Sequence, residues 1–324
     1  MNDASAAAAA GHGRLALPTL FRPWAWRLSA GAAPYVLLAP AMLVLAGVLL
    51  YPLASLLALS FQHYGLRQLI AHSGEWVGLD NYTTVLRDGF FWKVVLRSTA
   101  FAAVNVALTM VVGTLMALLL ERVHRPVRVL LTAGLVLVWA TPVVVAVDLW
   151  QWMFDFEFGV MNWLLTHLGI GNYIHHNWFA NPLEGFAVIT VVVVWGALPF
   201  VVITLSAGLS QVPRDLIEAA EVDGANPLHV FWFVVAPILR PVFVILATLS
   251  TIWDFKVFDQ VWIMLNQRPA ADYFLLGIYS FSESFRVTQY GLGAALAVIL
   301  VLLLAIATSG YVRHYLGRLE GEGA

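Results

Sequence analysis

The chain contains no cysteine, which excludes disulfides, thiolate nucleophiles and thiolate-bound metals and frees the fold from the redox state of its compartment. Charge is scarce too: 11% of residues are Asp, Glu, Lys or Arg, against about 25% in an ordinary soluble domain. A net charge of −2 gives no field that would draw nucleic acid or an acidic partner. No Gly-rich phosphate loop is present, so ATP is not expected to bind this polypeptide in the P-loop manner, and any energy must come from another chain. Neither a cofactor nor a metal is expected. His167, His175 and His176 share one segment, but no acidic or thiolate ligand recurs at a diagnostic spacing, and they read as parts of a solvated loop. An intramembrane enzyme would need a facing nucleophile and base or a His/Asp cluster in its apolar segments, and none is found there.

What the chain has in excess is oil: 61% of residues are hydrophobic, mostly in long runs. A helix crosses about 30 Å of hydrocarbon with about 20 residues. Residues 35–60, 98–120, 129–152, 185–209 and 292–312 qualify, the third with Asp148 at its outer end as the one charge among them, and a sixth run, 241–264, carries Asp254, Lys256 and Asp259. The expectation is an all-α membrane protein of six spans. Residues 1–32, with an Ala run, three Arg and Trp24 and Trp26, read as a tail ending in an interfacial segment; 33–314 form the spanning domain and 315–324 a C-terminal tail. Lys and Arg are retained on the cytoplasmic side during insertion. Arg14, Arg22, Arg27, Arg122, Arg125, Arg128, Arg214, Arg240, Arg313 and Arg318 fall on one side, while 154–184 has neither Lys nor Arg; Arg67, Arg87, Lys93 and Arg97 in the 60–98 connection dilute the bias. Both termini and the segment 213–237 are therefore expected in the cytoplasm, with 154–184 outside.

The segment 217–237, IEAAEVDGANPLHVFWFVVAP, breaks the apolar pattern with acid. Pro213 suits a helix start, and Asp215 and Glu218 lie near the positive end of its dipole. Gly224 suits the left-handed conformation that ends a helix, and Asn226-Pro227 reads as N-cap and first residue of the next. Leu216, Ala219, Ala220 and Asp223 fall on one face at helical spacing. By itself this describes an interfacial helix-turn-helix. The order of residues, however, resembles the EAA signature of ABC importer permeases: Glu218-Ala219-Ala220, three residues, Gly224, nine residues, then Val234-Val235-Ala236-Pro237 in place of Ile-x-Leu-Pro. NYTTVL (81–86), GVMNWLL (159–165), WDFKVFDQVWIM (253–264) and YGLGAALAVIL (290–300) look like the carbohydrate-uptake branch of that family. The chain departs from it at NQRPAAD (266–272), where relatives tend to carry a Gly-Gly-Pro turn.

The resemblance implies a type I importer permease fold and uptake of a di- or oligosaccharide, or a glycerophosphodiester, by alternating access. It implies as partners a second permease, a pair of cytoplasmic ATP-binding subunits, an external substrate-binding protein and membrane lipid. It also assigns Glu218, Ala219, Ala220, Asp223, Gly224 and Pro237 to coupling with the ATPase.

For the substrate path, charge inside a span is costly and marks function. Helical spacing sets Trp253, Lys256, Asp259 and Gln260 on one face, with Asp254 pointing elsewhere; indole stacks on a pyranose while Asp, Lys and Gln bind its hydroxyls. The alternatives are that Lys256 merely neutralises an Asp, or that Asp254, Lys256 and Asp259 form the relay of an ion-coupled secondary transporter. Trp150 and Gln151, at the outer end of the third span, fit either an aromatic belt or the path. Trp195 beside Pro199 and the deeper Asn105 are further path candidates, for which interhelical packing is the plain alternative.

Overall fold

The structure is a computed structural model and describes residues 33–322; the expected interfacial segment with Trp24 and Trp26 lies outside the described residues. The chain divides into two compact units between Ala54 and Ser55. Among the described residues four helices are long and apolar enough to cross a membrane: Tyr35–Ser60, Gly89–Arg122, Pro182–Leu209 and Tyr290–Gly310. Two bent pairs, Arg125–Ala140 with Val143–Met153 and Pro227–Ile238 with Arg240–Phe255, raise the number to six when each is counted as one span; the second pair takes in 227–238 of the expected coupling element and ends at Phe255, short of the expected run 241–264. In chain order these are the first to sixth spans below.

In the first unit, large apolar side chains such as Leu37, Leu43 and Leu49 are exposed, as suits a helix surrounded by hydrocarbon. In the second unit the second and fourth spans form the centre. Gly113 lets them meet: a Cβ there would collide with Val201. Ala117, Leu120, Val201, Val202, Leu205 and Leu246 bury around this crossing, drawing in the fifth span. Close approach through a small residue is how helices gain packing in lipid, where the hydrophobic effect gives no preference for protein over solvent.

The third span differs from the straight helix expected for 129–152. It bends by 103° at Thr141-Pro142, because Pro142 has no N–H to continue the ladder and disfavours helix in the residue before it. The fifth span bends by 77° at Leu239, ahead of Pro241. Its helix stops at Phe255, and a separate helix begins at Asp259. The last helix runs from Tyr290 to Glu322, beyond the expected end of its span.

Two family-like motifs meet at one strand end. Gln62–His63 pairs antiparallel with Glu75–Trp76. The Asn81 amide of NYTTVL donates to the carbonyls of Ser60 and Gln62, each at 2.9 Å, and Gly291 of YGLG lies so close that a Cβ would strike the Gln62 carbonyl. Gly293 likewise admits the chain around Ser280 and Ser284.

Gly113→Ala should lower stability by about 1–3 kcal/mol through overpacking against Val201. Gly134→Ala, where a Cβ meets nothing within 4 Å, should be neutral or stabilising by up to about 1 kcal/mol. Thermal unfolding of the two variants in detergent checks this; equal stability would mean that the second and fourth spans do not cross at Gly113.

Candidate functional site

The acidic turn is built from the end of the fourth span. After Pro213, which flanks the helix as its cap rather than opening it, Arg214–Val222 is helical. Gly224 has φ +86°, and its N–H and that of Ala225 close on the carbonyls of Glu221 at 3.0 Å and Ala220 at 2.9 Å. Asn226 Oδ1 accepts the His229 N–H at 2.9 Å, and Pro227 opens the second helix. Beneath the turn Val212, Val230, Val235 and Leu239 are buried, with Ile217 and Ala220 packed on them. Gly208 admits Leu239 and Val242 at close range. The single outward face expected for Leu216, Ala219, Ala220 and Asp223 therefore divides: Ala220 turns towards its own chain, while Leu216, Ala219 and Asp223 stay exposed. Glu218 and Glu221 are exposed beside Val222, which is 87% exposed. Pro237 is exposed just before the 77° bend.

The same two spans wall a cavity of about 320 Å³ with the third. Trp139, Thr141, Val143, Trp195, Phe200, Trp253, Asp254 and Gln260 are among its lining residues. The rings of Trp139 and Trp253 flank Phe200 at centroid distances of 6.2 and 5.1 Å. Trp195 is braced edge-on by Trp150 at 5.7 Å. Asp254 is 4% exposed, and its Oδ2 has no hydrogen-bond partner among the described residues.

The helical face expected to unite Trp253, Lys256, Asp259 and Gln260 does not form, because helical spacing fails across the break at 256–258. Trp253 and Gln260 reach the cavity together with Asp254, which was expected to point away. Lys256 caps the first helix and is exposed, and Asp259 opens the next and is exposed. Neither forms an ion pair within the described residues. Trp195 lines the cavity; Asn105, Trp150 and Gln151 do not. Asn105 is fully buried and donates to the Phe101 carbonyl at 2.8 Å.

Gln151 instead donates to Asn266 Oδ1 at 2.9 Å and to the Ile263 carbonyl at 3.2 Å, holding the turn that departs from the family pattern. In that turn Asn266 and Gln267 have φ of 52° and 59°, a region that glycine occupies without strain. Arg97 donates to the carbonyls of Ala271 and Phe274 on the far side of it.

The 154–184 segment is packed rather than simply solvated. Asn162 accepts from the Trp178 indole at 2.6 Å and donates to the carbonyls of Asp155 and His176, while His176 meets Glu184 at 2.8 Å. The N–H groups of Phe158 and Glu157 hold the Asp155 carboxyl below the usual carboxylate range. Burial, with Glu184 and then Asp272 nearby, pushes the Tyr273 phenol up to about 12, which keeps it a donor to Phe179 and Asn181.

Broken spans around a mostly apolar cavity, beside an exposed acidic turn, are an architecture suited to transport. The fold is a known one. It is similar to a bacterial ABC transporter involved in the import of the acidic polysaccharide alginate, with a TM-score of 0.73 at 16% identity, over 87% of this chain and 94% of that one. Residues 109–319 match the family described as binding-protein-dependent transport system inner membrane component, and the chain belongs to that family. It is 44% identical to the diacetylchitobiose uptake system permease protein of Streptomyces coelicolor over 90% of both chains. It is 31% identical to the sulfoquinovosyl glycerol transport system permease protein of Agrobacterium fabrum, covering 86% of this chain and 88% of that one. The trehalose/maltose transport system permease protein of Thermococcus litoralis is 32% identical, with 73% and 79% covered.

Gly224→Val places a β-branched residue at φ +86° and should cost about 1–3 kcal/mol, whereas Asn226→Ala, which loses the cap alone, should cost about 1 kcal/mol. Hydrogen exchange should show faster opening confined to 214–235 in both, and more in the first; unchanged exchange in Gly224→Val would mean that the turn does not depend on its glycine.

Proposed function

We propose that this permease carries a di- or oligosaccharide through the cavity at Trp195, Trp253, Asp254 and Gln260, driven by an ATPase that grips the acidic turn. The observation that carries the reading is the cavity wall. The indoles lining it supply the apolar surface a pyranose ring stacks on, and Asp254 and Gln260 supply polar groups for its hydroxyls. The named relatives handle saccharides or a saccharide glycoside, which supports the class.

Its partners are a second permease, two cytoplasmic ATP-binding subunits and an external binding protein. Exposed Glu218, Glu221 and Asp223 suit a basic cleft, and exposed Ala219 suits a surface that comes near the backbone. The Arg-flanked connections at 122–128 and 213–240 favour the cytoplasm for the turn, with both termini on that side and 154–184 outside.

The test is uptake into proteoliposomes containing the complete transporter. Saccharide should accumulate only with ATP and binding protein. Glu218→Lys should insert normally yet lose ATPase binding or reduce uptake per ATP hydrolysed by about tenfold or more, since like charges then face the cleft. Full coupling in Glu218→Lys would remove the coupling role, and absence of saccharide uptake in the unmodified transporter would remove the carbohydrate reading.

Orientation has a separate check. A single Cys at Gly171 should react with an impermeant thiol reagent in intact cells, and one at Ala225 should react only after the membrane is opened. Labelling of Ala225→Cys from outside would invert the topology.

A further inference from the structure

We propose that the groove between the second and fifth spans binds one anionic phospholipid of the surrounding bilayer, with an acyl chain along the groove and the phosphate on Arg122. The site is separate from the saccharide cavity and from the acidic face of the turn.

The groove has two chemically different parts. Met110, Thr114, Leu118 and Arg122, spaced by four along the second span, form one wall of a space of about 610 Å³, and Phe231 and Trp232 stand on the other. Thr114 directs its hydroxyl to the Met110 carbonyl at 2.6 Å, so apart from Arg122 the walls present no side chain in need of a polar partner. Leu115 and Trp232, both lining residues, are 62% and 61% exposed. The groove therefore opens sideways to hydrocarbon rather than into the protein.

Its length and its one charge define the occupant. From Met110 to Arg122 the helix advances about 18 Å at 1.5 Å per residue, close to half of a hydrocarbon core about 30 Å thick. That is the depth of one leaflet. Arg122 is the last residue of its helix, where the span meets the headgroups. Arg128 is engaged with Glu121 and the Leu120 carbonyl, whereas Arg122 is exposed and forms no ion pair within the described residues. A protein helix laid in the groove would bury this cation and need an acidic partner for it. An anionic lipid brings the apolar chain and the counter-charge in one molecule, and a guanidinium matches the geometry of its phosphate. Phe231 and Trp232 belong to the leg beneath the acidic turn, so the bound chain packs against the element that the turn caps.

Bilayers of equimolar phosphatidylglycerol and phosphatidylcholine, with bromine on the acyl chains of one lipid or the other, test this on the complete transporter with cysteine-free partners. A bimane label on Val111→Cys reports from the groove wall, and one on Leu119→Cys, exposed but outside the groove, is the control. Brominated phosphatidylglycerol should quench the first label about fivefold more than brominated phosphatidylcholine, and the two lipids should quench the second equally. Arg122→Gln should bring the ratio at Val111→Cys to about one. Equal quenching by the two lipids at Val111→Cys, or a preference that survives Arg122→Gln, would overturn the proposal. So would absence of quenching by either lipid, which would mean that a protein surface such as the second permease covers the groove.

Discussion

The packed turn between the fourth and fifth spans is the constraint on which the rest depends. Val212, Val230, Val235 and Leu239 close a small core there, each contributing about 1.5–3 kcal/mol if taken out of water. Gly208 lets the two legs touch beneath it. The acidic helix is therefore not an ornament on a loop but the rigid cap of a hairpin. Its legs continue to Trp195 and Phe200 on one side and to Trp253 and Asp254 on the other, the residues that wall the cavity. From Leu209 back to Trp195 the helix is unbroken, a separation of about 20 Å at 1.5 Å per residue. Under the proposed coupling role, a push on the turn would travel along the fourth-span leg, which is continuous helix with Pro199 inside it, while the other leg bends at Leu239.

The breaks belong to the same logic. Irregular backbone at membrane depth is tolerated where it lines a cavity or is buried in protein. Thr141 and Val143, flanking the break of the third span, and Val257, inside the break after the fifth, all line this cavity. The Thr141 hydroxyl donates back to the Leu137 carbonyl, filling the acceptor left free when the Thr141 N–H closes on Val138 instead.

Much of this was legible in the residues, unevenly. Hydropathy located the spans because hydrocarbon thickness acts on composition, and Gly224 and Asn226-Pro227 announced their turn because local chemistry decides φ and capping. Hydropathy has no direction, so the 103° bend escaped it although Pro142 marked the place. The spacing of Trp253, Lys256 and Asp259 was misread because it presumes one continuous helix, and that error sent Asp254 away from the cavity it lines. Ala219 and Ala220 parted because Ile217 fixes which side of the short helix faces its own chain. The order in 154–184 depends on Asn162 meeting Trp178, a contact no local periodicity encodes. The NQRPAAD turn departs in sequence, yet Asn266 and Gln267 still take positive φ, held by Gln151 and, across the turn, Arg97.

The central claim is mechanical: the state of the turn sets the width of the cavity. The absence of native cysteine permits spin labels at Val143→Cys and Gln260→Cys, on opposite breaks and both at the cavity wall. Pulsed electron paramagnetic resonance on the complete transporter then reads their separation with ATP bound and with ATP hydrolysed. The account predicts two distance populations that exchange with the nucleotide state, and their collapse into one when Gly224→Val disrupts the turn. A single distance that stays fixed while the transporter hydrolyses ATP and moves sugar would contradict it.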